Sequence, residues 1–257
     1  MIDEWELRAD GEPIRGSGAI VTPVTTSDGT PAILKISDSG SEHEHLVLRR
    51  WGGAGAVRLL RADPHRRTLL LERLHQQDLT TRPDVEACHI VAGLYRHLHV
   101  SAMPQLSTLP ELLEQWASDF QGLPRSAPIP HRLVEQSTAL TRDLANEPAN
   151  TVVHGNLHYG NVLAADREPW LAIAPRPVNG DPLFELAPML WHRWDELNRI
   201  RDGVQRRFYA LVDATGFDED KARAWVLVRV VREATRALHT DPAGLTKYVA
   251  LAKAVQD

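Results

Sequence analysis

The sequence predicts an α+β fold built from two lobes, and three observations support this prediction. Two runs rich in β-branched and apolar residues, 19–24 and 32–36, are joined by a short Asp-Gly turn, a pattern typical of a β-hairpin. Farther along the chain, apolar residues recur at helical spacing. A polar connector at residues 75–83 separates the two regions. We therefore expect a β-rich N-terminal lobe over residues 1–74 and a larger, mainly helical C-terminal lobe over residues 75–257.

The composition excludes several functional classes. The chain has 257 residues, of which 43% are hydrophobic and 25% are charged, values typical of a globular protein. The net charge of −5 argues against nucleic-acid binding, which favours a basic face. Residues 1–8 lack the cationic start of a signal peptide, and no apolar run approaches the ~20 residues that span a bilayer. The single cysteine, Cys88, cannot form an internal disulfide, so we expect a cytoplasmic protein without membrane or nucleic-acid partners.

The remaining elements follow from local pattern. In the N-terminal lobe we expect a helix over residues 41–51, ended by two glycines, and strands at 57–60 and 68–71. In the C-terminal lobe the expected helices cover residues 84–99, 110–121 and 131–145, and the chain is helical from 181 onwards with breaks near Gly203, Gly216 and residues 241–244. A short strand at 151–153 and a hairpin formed by 162–164 and 170–173 lie between them.

Residues 154–163, which read H-G-N-L-H-Y-G-N-V-L, are the most informative segment. Catalytic loops of small-molecule kinases usually read H-G-D-x-x-x-x-N, where the Asp accepts the proton of the attacking hydroxyl and the Asn binds a metal ion. The Asn of this pattern is present as Asn161, but the position of the Asp is occupied by Asn156. An amide can neither accept a proton near neutral pH nor carry a negative charge.

Two histidines flank this altered position. His154 and His158 are candidate catalytic residues, and a metal site formed by the two imidazoles is an alternative. Gly155 and Gly160 disfavour that alternative, because they disfavour the helix that would bring side chains at i and i+4 onto one face. A tight surface turn is the remaining interpretation.

Lys35 lies within an apolar predicted strand and is one of only four lysines in the chain. It is either an edge lysine that reaches solvent or a phosphate-binding lysine. In the second case its partner would be a carboxylate on the following helix, either Glu42 or Glu44, and Glu44 is favoured because it lies deeper in the helix.

Two further segments are candidates for nucleotide contacts. Gly16 and Gly18, on either side of Ser17, precede a strand and offer free backbone N–H groups that can wrap phosphates. Glu72 and Leu74 belong to the segment between the lobes, whose backbone could pair with an adenine edge.

The strand at 170–173 is followed by Ala174, at the point where kinases carry a second magnesium-binding Asp. A methyl group cannot bind magnesium, which prefers oxygen ligands. Asp181, directly before Pro182, is interpreted as a helix N-cap rather than as a metal ligand.

Together these segments resemble the streptomycin 6-phosphotransferase and hydroxyurea phosphotransferase group of the aminoglycoside phosphotransferases, which have a protein-kinase-like bilobal fold. The segments that carry the resemblance are D-G-T-P-A-I-L-K at 28–35, E-H-E at 42–44, L-R-R-W at 48–51, A-V-R-L-L at 56–60, L-L-L-E-R-L at 69–74, the loop at 154–163, R-E-P-W-L-A-I at 167–173, G-D-P at 180–182 and W-H-R-W-D-E at 191–196. The resemblance extends over nearly the whole chain.

The resemblance implies that Lys35, paired with Glu44, contacts the phosphates of ATP or a related nucleotide. It also implies that Asn161 is a metal ligand and that the segment from Glu72 to Leu74 meets adenine. Active members carry H-G-D-L-H and A-I-D-P at the two catalytic points, where this chain has Asn156 and Ala174. Two losses at one centre favour natural divergence over a single engineered substitution.

We therefore expect a nucleotide cleft between the lobes with weak Mg²⁺ binding and an impaired phosphoryl-transfer centre, linked to antibiotic resistance or secondary metabolism. One alternative is an active small-molecule kinase that phosphorylates an alcohol group, in which Asp166, Asp181, His158 or Glu185 replaces the lost groups. The other is a subunit that binds a small molecule, a peptide or a partner enzyme in a biosynthetic complex. Trp191, Trp194 and Asp195 could line an acceptor pocket, although tryptophans at helical spacing are more often core residues.

Overall fold

The structure is a computed structural model that describes residues 1–16, 18–38 and 42–256. The chain forms two compact units: the first unit comprises Met1–Asp78 and Asn161–Pro177, and the second unit comprises Leu79–Gly160 and Val178–Asp257. Most of the strands lie in the first unit and most of the helices in the second, which confirms the predicted α+β class. Among the described residues, no helix has the length and apolarity needed to cross a membrane.

The first unit is built on a six-stranded antiparallel sheet. Its strands are β1 (Arg8–Ala9), β2 (Ile14–Gly16), β3 (Ala19–Thr25), β4 (Pro31–Ser37), β5 (Leu59–Asp63) and β6 (Thr68–Glu72). The strand order is β1-β3-β4-β6-β5, and β2 pairs with β3 beside β1. The sequence predicted β3, β4 and β6. It placed β5 too early, at 57–60, and missed the short strands β1 and β2, whose side chains are exposed and carry no apolar alternation.

The predicted hairpin of β3 and β4 is confirmed, and its turn has a clear local cause. Gly29 has φ of 87°, a left-handed conformation that glycine adopts without strain. The Asp28 carboxylate accepts a hydrogen bond of 3.1 Å from the Thr30 N–H, which closes the turn.

Side chains of β4 alternate between the two faces of the sheet. Leu34 packs in an apolar cluster with Trp5, Leu7 and Leu70. Because successive side chains of a strand point to opposite faces, the next residue, Lys35, lies on the other side of the sheet. That side faces helix α1 (Glu44–Trp51), which ends where Gly52 adopts a left-handed conformation and donates to the Leu48 carbonyl. The predicted start of this helix at Ser41 lies outside the described residues.

A second hairpin, formed by β8 (Val162–Ala164) and β9 (Trp170–Ala172), also belongs to the first unit. Its strands pair with each other, and backbone hydrogen bonds attach it to two distant segments: Val57 N–H donates to the Ala172 carbonyl (2.9 Å), and His75 N–H donates to the Ala164 carbonyl (3.0 Å). The hairpin was expected in a C-terminal lobe over residues 75–257. The compact units differ from that division because long-range backbone pairing, rather than chain position, decides where the hairpin packs.

The second unit is mainly helical. Its helices are α2 (Asp84–Leu98), α3 (Leu109–Gln121), α4 (His131–Leu144), α5 (Ala187–Trp191), α6 (Ile200–Thr215), α7 (Glu219–Thr240) and α8 (Leu245–Gln256). Strands β7 (Thr151–Val153) and β10 (Val178–Gly180) form a two-stranded antiparallel ribbon. In the sequence they lie on either side of Asn161–Pro177, the segment that belongs to the first unit. Strand β10 was not predicted from the sequence, because its three residues are all buried and show no alternation.

The predicted break near Gly203 is wrong, because α6 continues through it. A Cβ at this position would lie 2.6 Å from the Leu197 Cδ2, so the glycine allows close packing rather than ending the helix. The predicted breaks at Gly216, a left-handed cap, and at residues 241–244, which contain a short 3₁₀ turn, are confirmed.

Candidate functional site

The candidate residues divide between the two units. All those expected to contact nucleotide or metal lie in the first unit, although they come from both ends of its discontinuous sequence: Gly16, Gly18, Lys35, Glu44, Glu72, Leu74, Asn161 and Ala174. The second unit holds His154, Asn156 and His158.

Lys35 of β4 and Glu44 of α1 form a buried ion pair. The ammonium nitrogen lies 2.7 Å from both carboxylate oxygens, and the side chains are 10% and 1% exposed. Burial raises the pKa of Glu44, and the Lys35 ammonium opposes that rise. The predicted partner is thereby confirmed, whereas the edge-lysine interpretation is wrong because the side chain does not reach solvent. Glu42, the alternative partner, is exposed. The contact with nucleotide phosphates stays a prediction.

The glycines predicted to wrap phosphates lie at the β2–β3 turn. Gly16 ends β2 and pairs with Ala19 of β3. Gly18 has φ of 95°, which disfavours any other residue, and its carbonyl accepts a hydrogen bond of 2.9 Å from Asp38 N–H. Ser17, between them, lies outside the described residues. The positive φ explains Gly18 but not Gly16, where an added Cβ would lie 3.7 Å from the nearest atom. The role of both glycines with phosphates stays a prediction.

Glu72 ends β6, and both its backbone and its side chain have partners. Its N–H donates to the Arg58 carbonyl (3.0 Å), and its carboxylate accepts from the Arg58 N–H (2.7 Å) and from Arg167. Leu74, two residues later, is half-buried. No sequence pattern indicated a role for the Glu72 side chain, which the structure places at the centre of a hydrogen-bond network. The adenine contact of this segment stays a prediction.

Asn161 and Ala174 lie at the same end of the second hairpin, one before β8 and the other after β9. Ile173 N–H donates to the Asn161 carbonyl at 2.9 Å, so the two positions are held close together. Ala174 has φ of 53°, in the left-handed region that Gly, Asn and Asp tolerate and Ala does not favour. The backbone at this position thus suits the carboxylate that the residue lacks.

These residues do not fit a magnesium ion. Mg²⁺ prefers carboxylate and phosphate oxygens, whereas the side chains of Asn161 and Ala174 are an amide and a methyl group. Within residues 1–16, 18–38 and 42–256, no group of three or more His, Cys, Asp or Glu side chains is arranged to hold a metal ion.

In the second unit, the start of the loop at 154–161 is held by a buried carboxylate. Glu185, which is 0% exposed, accepts hydrogen bonds from the backbone N–H groups of His154 and Gly155, the latter at 3.2 Å. Burial raises the pKa of Glu185 to about 7, and the Arg229 guanidinium and the two N–H groups oppose the rise. Arg229 of α7 donates to the carbonyls of Phe184 (2.9 Å) and Gly155 (3.4 Å).

From the sequence, Glu185 is predicted only as a substitute catalytic group, and Arg229 is not predicted to have a role. The available signal was the placement of each charge in an otherwise apolar stretch, F-E-L-A and L-V-R-V-V. A charge in such a stretch needs a partner, because an unpaired buried charge is strongly unfavourable.

The two loop histidines are each anchored to the backbone. The Nδ1 of His154 accepts from Asn156 N–H, and the Nδ1 of His158 accepts from Gly160 N–H, both at 3.2 Å. The His158 ring also stacks on His192, with centroids 3.6 Å apart. Residues 154–158 are not helical, so the i, i+4 arrangement needed for a histidine metal site is absent in this loop.

The carboxylates expected as replacements for the lost groups have other partners. The Asp181 carboxylate accepts from Leu183 N–H (3.0 Å) and Trp225 Nε1 (3.1 Å) and pairs with Lys221 (2.7 Å), which confirms its capping role. Asp166 is 95% exposed and lies 2.9 Å from His75 in the first unit.

The residues proposed for an acceptor pocket vary in environment. Trp191 is half-buried and packs edge-on against Tyr248 at 6.1 Å, Trp194 is half-buried, and Asp195 is exposed. Cys88 is fully buried, and burial raises its pKa to about 12, which makes its thiol inert.

Comparison with known proteins identifies relatives along the whole chain. The sequence profile described as aminoglycoside/hydroxyurea antibiotic resistance kinase matches residues 4–241. The chain is 37% identical to streptomycin 6-kinase of Streptomyces glaucescens, over 98% of this chain and 87% of that protein. It is 41% identical to hydroxyurea phosphotransferase of Kitasatospora aureofaciens, over 90% of this chain and 69% of that protein.

Solved structures show the same fold at low sequence identity. Aminoglycoside phosphotransferase APH(4)-Ia superposes with a TM-score of 0.69 at 13% identity, covering 99% of this chain and 96% of that one. Thermostable mutants of that enzyme have been solved in ternary complexes with hygromycin B and either ADP or AMP-PNP. Choline kinase LicA from Streptococcus pneumoniae superposes with a TM-score of 0.63 at 12% identity, covering 97% of this chain and 92% of that one. The protein-kinase-like fold expected from the sequence is thereby confirmed.

Proposed function

Because the chain belongs to the aminoglycoside/hydroxyurea antibiotic resistance kinase family, we propose that it binds an ATP-type nucleotide but has an impaired phosphoryl-transfer centre. One contrast carries this proposal. The buried Lys35–Glu44 pair is formed, whereas the two positions that should carry catalytic carboxylates are Asn156 and Ala174.

The nucleotide part of the proposal is supported by the chemistry of the ion pair. Burying a lysine and a glutamate together is unfavourable unless their interactions offset the loss of hydration. An anionic ligand such as a nucleotide phosphate would interact favourably with the Lys35 ammonium and so offset part of this cost. The ADP and AMP-PNP complexes of a protein with the same fold agree with this interpretation.

The impaired centre follows from what the two substitutions remove. Loss of a general base typically lowers a rate by ~10² to 10⁴. Phosphoryl transfer depends chiefly on positioning and charge neutralisation, so this loss alone would leave some activity. Ala174 also stands where a metal-binding carboxylate is expected. The neutral amide of Asn161 is a weak substitute for that carboxylate as a magnesium ligand.

The acceptor that this relationship supports is a small polar molecule with an alcohol or N-hydroxyl group. The related streptomycin 6-kinase and hydroxyurea phosphotransferase support this choice by their names. A role in antibiotic resistance or secondary metabolism follows from the same relationship.

An active kinase with a rewired site is less well supported. Glu185 is buried against the loop backbone, and Asp181 is bound to Lys221, so neither carboxylate is available as a base without losing a structural contact. Binding of a peptide or a partner enzyme is the third candidate, and no contact in the described residues favours it.

The test is a calorimetric titration of the purified chain with ATP, with and without Mg²⁺. We expect binding whose affinity changes little with the metal. Labelled ATP with streptomycin or hydroxyurea should give little or no phosphorylated product. Efficient magnesium-dependent turnover would overturn the impaired centre, and absence of ATP binding would overturn the nucleotide part.

A further inference from the structure

The side chain of Arg167, in the turn between β8 and β9, joins separate segments of the first unit by hydrogen bonds. All five N–H donors of its guanidinium are used. Nε donates to the two Glu72 carboxylate oxygens (3.1 and 3.0 Å), and Nη2 donates to Glu72 (2.6 Å) and the Ala56 carbonyl (2.7 Å). Nη1 donates to the Gly53 carbonyl (2.6 Å) and to Glu168 (2.9 Å).

These contacts join three segments that are far apart in sequence. Arg167 and Glu72 are separated by 95 residues, and Arg167 and Gly53 by 114. Glu72 ends the strand that leads into the segment predicted to contact adenine, and residues 53–56 follow α1, the helix that supplies Glu44. The carboxylate of Glu72 also accepts from Arg58 N–H at 2.7 Å, which fixes its orientation for the guanidinium.

The same hairpin carries Asn161 and Ala174 at its other end. Its strands have only three residues each, so a displacement of the turn is transmitted directly to that end. The second strand, β9, is also bound to residues 53–57. Val57 N–H donates to the Ala172 carbonyl, and Ala172 N–H donates to the Gly55 carbonyl. Arg167 donates to carbonyls of the same segment.

We propose that Arg167 is a positioning residue of the nucleotide site: through Glu72 and the carbonyls of Gly53 and Ala56, it fixes the hairpin that bears Asn161 and Ala174 relative to the adenine-side segment. The inference rests on the proposed nucleotide binding. A planar guanidinium with five fixed donors suits this task, whereas a lysine ammonium has three donors on one atom and cannot reach all of the acceptors together.

The experiment must separate positioning from general stabilisation and from simple charge. Arg167→Met removes every hydrogen bond of the guanidinium. Arg167→Lys keeps the positive charge beside Glu72 but lacks the planar fork of five fixed N–H donors. Leu7→Ala is the stability control, because Leu7 is buried in the apolar cluster with Leu34, on the face of the sheet opposite Lys35.

ADP affinity is measured by calorimetry at a temperature well below the melting temperature of every variant, which is determined in parallel. We expect Arg167→Met to weaken ADP binding by about tenfold or more, equivalent to the loss of one or two good hydrogen bonds. Arg167→Lys should recover only a small part of that affinity. Leu7→Ala should melt at a lower temperature but bind ADP as the unaltered chain does.

Other outcomes are equally informative. If the unaltered chain binds ADP and Arg167→Met binds it equally well, the positioning role is overturned and the proposed function stands. If Arg167→Lys binds fully, charge rather than fork geometry is responsible, which also overturns the inference. If the unaltered chain does not bind ADP or ATP, the proposed function fails and the inference fails with it.

Discussion

Lys35 and Glu44 form a buried ion pair in which the ammonium lies 2.7 Å from both carboxylate oxygens. Such a pair contributes little net stability, because the loss of hydration offsets much of the attraction between the charges. Breaking it by removing one partner is nevertheless strongly unfavourable, because the other charge is then buried alone. The pair therefore allows stability and binding to be separated by mutation.

Lys35→Met should lower the free energy of unfolding by about 3–5 kcal/mol, because Glu44 is left buried without its partner. The double variant Lys35→Met/Glu44→Leu should recover most of that loss but should not recover ADP binding. Urea unfolding and calorimetry measure the two effects. ADP binding by the double variant at the affinity of the unaltered chain would show that Lys35 does not contact the nucleotide.

Restoring both carboxylates should create activity. Asn156→Asp/Ala174→Asp is expected to raise the rate of ATP turnover by at least ~10² over the unaltered chain, the lower end of the effect of a general base. The measurement uses labelled ATP and Mg²⁺ with streptomycin, hydroxyurea or water as acceptor. Asn198→Asp, an exposed position, is the matched control for an added charge. An inert double variant would show that the centre lacks more than two carboxylates.

The left-handed backbone of Ala174 predicts a gain in stability on substitution by glycine. At φ of 53° the Ala side chain is strained by roughly 1–2 kcal/mol, which exceeds the entropic cost of glycine of roughly 0.5–1 kcal/mol. Ala174→Gly should therefore raise the free energy of unfolding slightly. Ala172→Gly, in the buried strand two residues earlier, should lower it instead. Equal losses in the two variants, measured by urea unfolding, would contradict a strained Ala174.

The buried carboxylate of Glu185 predicts a pH dependence of stability. Its pKa is raised from 4.5 to about 7 in the folded chain, so protonation of Glu185 favours the folded state. This contribution to the free energy of unfolding is fully present below pH 4.5 and is lost as pH rises through about 7. Burial lowers the pKa of His99 and of His192 from 6.5 to about 4, so their contributions are present above pH 6.5 and are lost as pH falls towards 4. The two effects oppose each other between pH 4.5 and 6.5.

Glu185→Gln should therefore make stability rise more steeply between pH 4.5 and 6.5, because the opposing contribution of about 3 kcal/mol is removed. Urea unfolding at several pH values measures the slope. Glu114→Gln, on an exposed face of α3, is the control and should leave the slope unchanged. An identical slope in both variants would mean that Glu185 is ionised throughout this range.

Much of the fold and part of the site were predictable from local pattern. The hairpin of β3 and β4 and helices α2 to α4 were predicted because periodicity and turn residues are encoded among near neighbours. The partner of Lys35 was also predicted, since it lies only nine residues away on the next helix. The break expected at Gly203 was wrong, because a glycine that permits a close contact with Leu197 cannot be distinguished locally from one that ends a helix.

The sequence by itself determined the chemistry at the altered centre: an amide at Asn156 and a methyl group at Ala174 have fixed chemical properties in any fold. It also determined the α+β class, through two different periodicities in two parts of the chain. Only the tertiary structure decided that the hairpin of β8 and β9 packs with residues 1–78. It also decided that Glu185 and Arg229 hold loop backbone in the second unit and that Arg167 holds backbone in the first. These contacts span 30 to 114 residues and end largely on backbone groups, which every residue carries. The sequence therefore indicates that the charges of Glu185 and Arg229 need partners, but not which partners they have.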